Sequence, residues 1–234
     1  MRKSVFKFKE FEVVQEKSAM KIGTDGVLLG AWANSKNPEK ILDIGTGTGL
    51  IALMLAQRFP QAELTGIEID QNAFEEAQFN VAESKYSKRI SVLHTSLQDF
   101  VSDEKFDLIL CNPPFFELTH KENSARNKAR QQSDLTFEEL IFYANKLLAP
   151  NGKLAVIIPF ESETYFLDLA SKSNLFPEKI THVKGNKNVP FKRSLLLFSR
   201  IQSIIQIDKL TIEISRNVYT EDYISLTKDF YLKM

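Results

Sequence analysis

An apolar run, Phe106-Asp107-Leu108-Ile109-Leu110-Cys111, ends in Asn112-Pro113-Pro114-Phe115-Phe116. Proline has no N–H to give to a sheet ladder, so a core strand stops at this corner. The groups left there suit one task. The Asn112 amide oxygen and the Pro113 carbonyl are two acceptors, and Pro114 restricts where that carbonyl points. Phe115 adds a flat apolar face. Two acceptors and a wall form a slot for a planar group bearing –NH2. Such an amine is a poor nucleophile, because its lone pair is delocalised. Acceptors that hold its N–H bonds favour a more pyramidal nitrogen, with the lone pair aimed at an electrophile. Orientation and fixed dipoles would supply most of the rate, without a metal, a covalent intermediate or a strong base.

A second group of residues lies in Ile41-Leu42-Asp43-Ile44-Gly45-Thr46-Gly47-Thr48-Gly49-Leu50, which follows a strand and opens a helix. Glycines there allow a sharp turn and close approach of a ligand, and the helix N-terminus favours negative charge. Two patterns fit. Gly47, Gly49 and Ala52 match the dinucleotide pattern G-x-G-x-x-A. The same stretch also reads D-x-G-x-G-x-G from Asp43. Glu68, ending the next strand, agrees with both, since a carboxylate there can accept both ribose hydroxyls.

These groups need elements to position them. Strands are expected over 40–44, 63–69, 90–94, 106–111 and 153–158, and helices over 50–59, 71–83, 137–148 and 162–173. Such alternation means right-handed βαβ units and a mostly parallel central sheet with helices on both faces. Residues 5–15 suggest a strand or hairpin, and Thr24 or Asp25 is placed to cap a short helix over 27–32. Asn151-Gly152 reads as a helix stop and turn. After Pro177 the alternation gives way to strands over 176–183, 194–199 and 204–214, an antiparallel C-terminal edge, with a short helix within 219–231. The whole chain, 1–234, is expected to form a single domain with an N-terminal extension (1–38) and C-terminal strands and tail (176–234). Residues 116–133 form a long loop, of a length that is usually functional.

Composition bounds the rest. The chain has 234 residues, 43% hydrophobic and 26% charged, with a formal net charge of zero. That suits a globular domain, and global charge does not single out a nucleic-acid partner. Cys111 is the single cysteine, so no intrachain disulfide forms, which fits a reducing compartment. No signal peptide or membrane span is apparent, and a cytoplasmic location is expected. His94, His120 and His182 are scattered singly and suggest no metal site.

With these residues placed, D-x-G-x-G-x-G resembles the first motif of class I S-adenosylmethionine-dependent methyltransferases, a Rossmann-like fold. Asn112-Pro113-Pro114-Phe115 resembles their [DNS]-P-P-[FYW] motif for planar exocyclic nitrogens. The chain, from about Phe6 to Ser199, is similar to bacterial tRNA adenine-N6 methyltransferases that modify the adenine 3′ of the anticodon in a valine tRNA. The most specific stretches are 20–32, the glycine loop with 53–58, Asn112 to Phe115, and the later Ala125-Arg126-Asn127-Lys128-Ala129-Arg130. The resemblance implies S-adenosylmethionine as cofactor, held by Gly45, Gly47, Gly49 and Glu68. Asp43 would help at the methionine end, with Thr24 and Asp25 bordering it. It implies adenine at Asn112, Pro113 and Phe115. Many class I enzymes carry an acid just after the third strand, against the cofactor's adenine. Here that place reads Thr95-Ser96-Leu97-Gln98-Asp99, where Ser96 could substitute.

The amine of adenine is inaccessible inside a duplex, so an unpaired base is required, and an anticodon stem-loop supplies one. Pro114, Phe116, Arg126 and Arg130 are candidates to contact that RNA, and Lys184, Lys187, Lys192 and Arg193, with Phe191 among them, form a second basic cluster. Phe6, Phe8 and Phe11 could extend the surface, although a plain amphipathic strand explains them better. A rival function is a protein-glutamine N5-methyltransferase, since a glutamine amide fits the same slot. That family usually carries a helical N-terminal domain, for which the residues before the glycine strand leave little room. A DNA adenine methyltransferase, an NAD enzyme or a non-catalytic binding module explains less of the pattern. Oligomeric state is not legible.

Overall fold

Five short apolar runs, each too short to bury itself, pair side by side and are covered by helices. The computed structural model describes residues 4–18, 21–113 and 135–234. An antiparallel hairpin comes first, β1 (Val5–Lys7) with β2 (Glu12–Val14), followed by helix α1 (Thr24–Trp32). Then β3 (Lys40–Ile44), α2 (Leu50–Arg58), β4 (Glu63–Glu68), α3 (Gln71–Ala82), β5 (Ile90–His94) and β6 (Phe106–Cys111) alternate. After them come α4 (Phe137–Leu147), β7 (Leu148–Pro159), a single 3-10 turn (Phe160–Ser162) and α5 (Glu163–Lys172). The strands β8 (Phe176–Asn186), β9 (Arg193–Ser199), β10 (Gln206–Ser215) and β11 (Val218–Tyr219) precede helix α6 (Glu221–Thr227).

The large sheet runs β11-β10-β8-β9-β7-β6-β3-β4-β5, with β7 to β5 parallel throughout. The chain moves outward from β3 to β4 and β5, then jumps back across β3 to β6. This reversal makes a switch point between β3 and β6, where a crevice opens at the strands' carboxyl ends. Alternate residues of the buried strands feed two cores. Ile41, Leu108, Leu110 and Ile157 pack toward α1 and α2. Leu42, Ile44, Ile109, Val156 and Ile158 pack toward α4 and α5.

Three expectations need correction. The helix cap before α1 is Gly23, without a side-chain bond, so Thr24 and Asp25 sit in the first turn instead of capping it. Asn151 and Gly152 lie inside β7, which begins directly where α4 ends. The helix does stop there, and β7 bulges against β6, with Phe106 opposite Leu148 but Leu108 opposite Lys153. A Cβ on Gly152 would come within 2.5 Å of the Phe106 carbonyl oxygen, so this glycine marks close backbone approach within that bulge. At the C-terminal edge, β9 lies antiparallel between β7 and β8, but β10 pairs with β8 in parallel.

The hairpin is tied to the other end of the chain. Phe8 bridges to Tyr231, and the Lys9 N–H donates to the Phe230 carbonyl at 2.8 Å. Phe8 and Phe11 are buried, with Phe8 stacked on both Phe11 and Tyr231. These aromatics are core, as an amphipathic strand requires.

Candidate active site

The loop after β3 is built by three glycines in the left-handed region, Gly45 (φ 68°), Gly47 (φ 58°) and Gly49 (φ 82°). Any other residue would be strained there. A Cβ on Gly45 would meet nothing within 4 Å, so the loop offers bare backbone to open space. The N–H groups of Gly45 and Thr46 donate to the Ile67 carbonyl, which ties the loop to the end of β4. Gly49 caps α2 without a side-chain partner, so the amides of its first turn keep their positive field.

Asp43 lies under this loop, 1% exposed. The Thr46 hydroxyl donates to its Oδ2 at 2.6 Å, while Oδ1 has no hydrogen-bond partner among the described residues. Burial pushes the carboxyl up to about 7, and the nearby charge of Glu68 adds to this; the Thr46 hydroxyl and the Ala52 N–H pull the other way without offsetting it. A buried acceptor without a partner is rare and costly. Here it belongs to a carboxyl tied through Thr46 to the glycine loop.

Glu68 ends β4, and its Oε2 accepts the Gly47 N–H at 2.9 Å. Its Oε1 accepts the N–H groups of Ile69 and Asp70 at 2.8 and 2.9 Å. Three amides thus fix the carboxylate at the loop's edge and occupy most of its lone pairs. A diol would exchange for the Gly47 bond or share it. The next residue, Ile69, is 58% exposed. An exposed apolar side chain directly after that acid is placed to cover the face of a flat group.

Asn112 follows β6 directly. Its Oδ1 is buried and has no hydrogen-bond partner among the described residues. Cys111 beside it is buried, and burial pushes its thiol well above the ordinary value. It is packing and not a nucleophile. Pro113 is buried. Pro114, Phe115, Phe116, Arg126 and Arg130 lie outside the described residues, as do Ala19, Met20 and the whole of the long loop 116–133.

The remaining candidates fall around this crevice. Thr24 and Asp25 open α1, whose Gly26 lies against Leu50, the first residue of α2. Asp25 Oδ2 accepts a 2.7 Å bond from Arg193 Nε, so this carboxylate already has a cation, and Arg193 is committed inward. Ser96 donates to Asp99 Oδ2 at 2.7 Å and accepts the Asp99 N–H. The Ser96 candidate for the contact after β5 is therefore tied to the exposed Asp99.

Two residues that sequence reasoning missed hold the site together. Glu76 and Asn80, one turn apart on α3, are 4% and 2% exposed. Glu76 accepts the backbone N–H groups of Glu16, Lys17 and Ser18. Asn80 accepts the Val14 N–H and donates to the carbonyls of Val14 and Thr48, each within 2.9 Å. The segment leading to α1 is thus laced to α3 and to the glycine loop. The available signal was their i, i+4 spacing on an otherwise apolar helix face, where polar groups need partners.

Among the described residues no group of three or more His, Cys, Asp or Glu comes together as a metal site, and no helix is long and apolar enough to cross a membrane.

Comparison with known proteins agrees with this geometry. The family model described as "Methyltransferase small domain" matches residues 14–169. A "tRNA1(Val) (adenine(37)-N6)-methyltransferase" of Flavobacterium psychrophilum is 51% identical over 98% of this chain and 100% of its own length. A protein of the same description from Pseudoalteromonas translucida is 45% identical over 99% of this chain and 100% of its own length. Among solved structures, one described as a predicted O-methyltransferase from Agrobacterium tumefaciens aligns with a TM-score of 0.69 at 21% identity. It covers 88% of this chain and 96% of that one, a likeness of fold.

Proposed function

The chain belongs to the small-domain methyltransferases, among the bacterial tRNA1(Val) (adenine(37)-N6)-methyltransferases, and from this we infer that it methylates the exocyclic N6 amine of an adenine in tRNA. S-adenosylmethionine supplies the methyl group when bound. The finer reading is that the target is the adenine 3′ of the anticodon in a valine tRNA, presented by the anticodon stem-loop, and that the enzyme works in the cytoplasm. We read the chain as one domain, 1–234; the continuous sheet and the joined ends support this.

The residues present suit the cofactor. Asp43 Oδ1, an acceptor without a partner, suits its ammonium end. The open backbone at Gly45 and Gly47 admits its body, the Glu68 carboxylate suits a ribose, and Ile69 suits the flat base. Ser96 with Asp99 lies at the end of β5 on the same edge.

The observation that carries the reading is Asn112 Oδ1, a buried amide oxygen at the switch point without a partner among the described residues. It accepts one N–H of the target amine, and the Pro113 carbonyl accepts the other. Held this way, the nitrogen lone pair turns out of the ring plane. The proton is lost to solvent after transfer, so Asn112 positions the amine and does not act as a base. Phe115 would stack on the ring. Arg126 and Arg130, with Pro114 and Phe116, would meet the surrounding RNA. A glutamine substrate is not favoured, because the relatives carry the tRNA description over their full length.

The test is methyl transfer from labelled S-adenosylmethionine to unmodified bulk tRNA, beside a bulk protein fraction, with nucleoside analysis. Label in N6-methyladenosine is expected. Label in protein glutamine alone would overturn the reading.

A further inference from the structure

One cluster plays no part in the chemistry above. Phe160 directly follows β7, His182 lies in β8, and Phe191 lies in the loop before β9. Their rings touch one another, with centroids 5.0 Å apart for Phe160–His182, 5.5 Å for Phe160–Phe191 and 5.4 Å for His182–Phe191. Phe160 is 38% exposed, and His182 and Phe191 are partly exposed. The rings are firmly held. Glu163 accepts from His182 Nε2 and from the Ser194 hydroxyl, the Phe160 N–H donates to the Lys192 carbonyl, and the Lys192 N–H donates to the Val183 carbonyl. Ser194 and His182 both point at the carboxylate and not at each other, so the trio is no nucleophilic triad.

The surroundings are cationic. Lys184 Nζ lies 5.6 Å from the Phe191 ring centroid, and Lys187 and Lys192 are exposed on the same hairpin end. None of these three lysines forms an ion pair among the described residues. Glu161, an exposed acid, directly follows Phe160 in sequence. Cys111 pairs with Val156, so Asn112 lies level with Ile157, and Phe160 reaches the same carboxyl edge one strand over. Strand spacing and rise put it roughly 10 Å from Asn112.

We propose that Phe160, His182 and Phe191, rimmed by Lys184, Lys187 and Lys192, form a stacking platform for an unpaired nucleotide flanking the target adenine in the same RNA loop. Aromatic faces take any base, and the lysines meet the adjoining phosphates. The proposal rests on the tRNA methyl-transfer reading.

The test uses the full chain and an anticodon stem-loop RNA with a fluorescent base analogue placed on either side of the target in turn. Phe191→Ala, and Phe160→Ala with Phe191→Ala, should raise the RNA Kd and KM at least about fivefold. Quenching of one analogue should disappear, while kcat at saturating RNA and the cofactor Kd stay within about twofold. Phe191→Tyr should behave as the parent. An unchanged RNA Kd in the double variant would overturn the platform. If that variant also loses cofactor binding, Phe191→Leu decides, because it keeps apolar bulk without a π-face: a raised Kd supports the platform, an unchanged one overturns it. A parent chain that methylates no tRNA yet binds the stem-loop through Phe191 would overturn the methyl-transfer reading and leave the platform standing.

Discussion

Asp43, in register with Leu110, and Asn112, directly after β6, stand at the switch point of two neighbouring parallel strands, and each buries a side-chain oxygen that has no hydrogen-bond partner among the described residues. The third such atom among the described residues, Gln57 Oε1, lies on α2 away from this edge. Two costly acceptors set side by side suggest a pocket completed by two ligands, one at each strand end.

Asn112→Ala should lower turnover on the order of 10²-fold or more, as loss of a positioned polar group does, with cofactor affinity unchanged. Single-turnover methyl transfer beside cofactor titration separates the two. Near-parental turnover would remove Asn112 from its role.

Asp43 should make stability depend on pH. Its folded pKa, about 7, lies above the ordinary 3.8. The folded chain therefore keeps a proton that the unfolded chain releases. Stability from this group is full below about pH 4, falls as pH rises toward 7, and levels off above, by on the order of 4 kcal/mol at most. Asp43→Asn should gain on the parent as pH rises across that window, while losing cofactor affinity. Parallel melting curves for the two chains between pH 4 and 8 would contradict this.

Glu68→Gln should weaken cofactor binding at least about tenfold and lower the melting temperature, because an NH2 would face a backbone N–H where an oxygen now accepts. Cofactor titration and thermal melts read both effects. An unaltered affinity would show that the carboxylate serves only to tie the turn.

Asn80→Ala removes three hydrogen bonds that join α3 to Val14 and Thr48. A loss of about 2–4 kcal/mol is expected from leaving those buried groups unpaired. Amide exchange at Val14, Lys17 and Ser18 should quicken first. Uniform quickening across the sheet would mean that the segment does not loosen on its own.

The strands 40–44, 90–94 and 106–111 were legible to the residue, because short apolar runs bounded by turn residues leave few alternatives. The corner at Asn112 and the three glycines were legible because proline and glycine carry their backbone geometry with them. Strand direction was not: periodicity assigns faces without assigning sense, so β10 beside β8 was misread. Gly152 reads as a turn because a glycine needed for close approach looks the same in one dimension. The Asp25–Arg193 pair joins residues 168 apart, and nothing local to either announces it. Glu76 is not singled out by the sequence, since its partners are backbone amides and carry no sequence signature.

Lys9 Nζ bonds to the Lys228 carbonyl, 219 residues further along the chain. A ribosome adding roughly 5–20 residues per second makes that partner on the order of ten to forty seconds after the hairpin emerges. Through that interval the hairpin can be tied to what has already emerged: to α3 through Asn80 and Glu76, to Lys85 through Glu10, and to the apolar core through Phe8, Phe11 and Val13. The order of synthesis therefore separates the ties: those to α3, Lys85 and the core can form during translation, and the segment around residues 228–231 locks the hairpin afterwards.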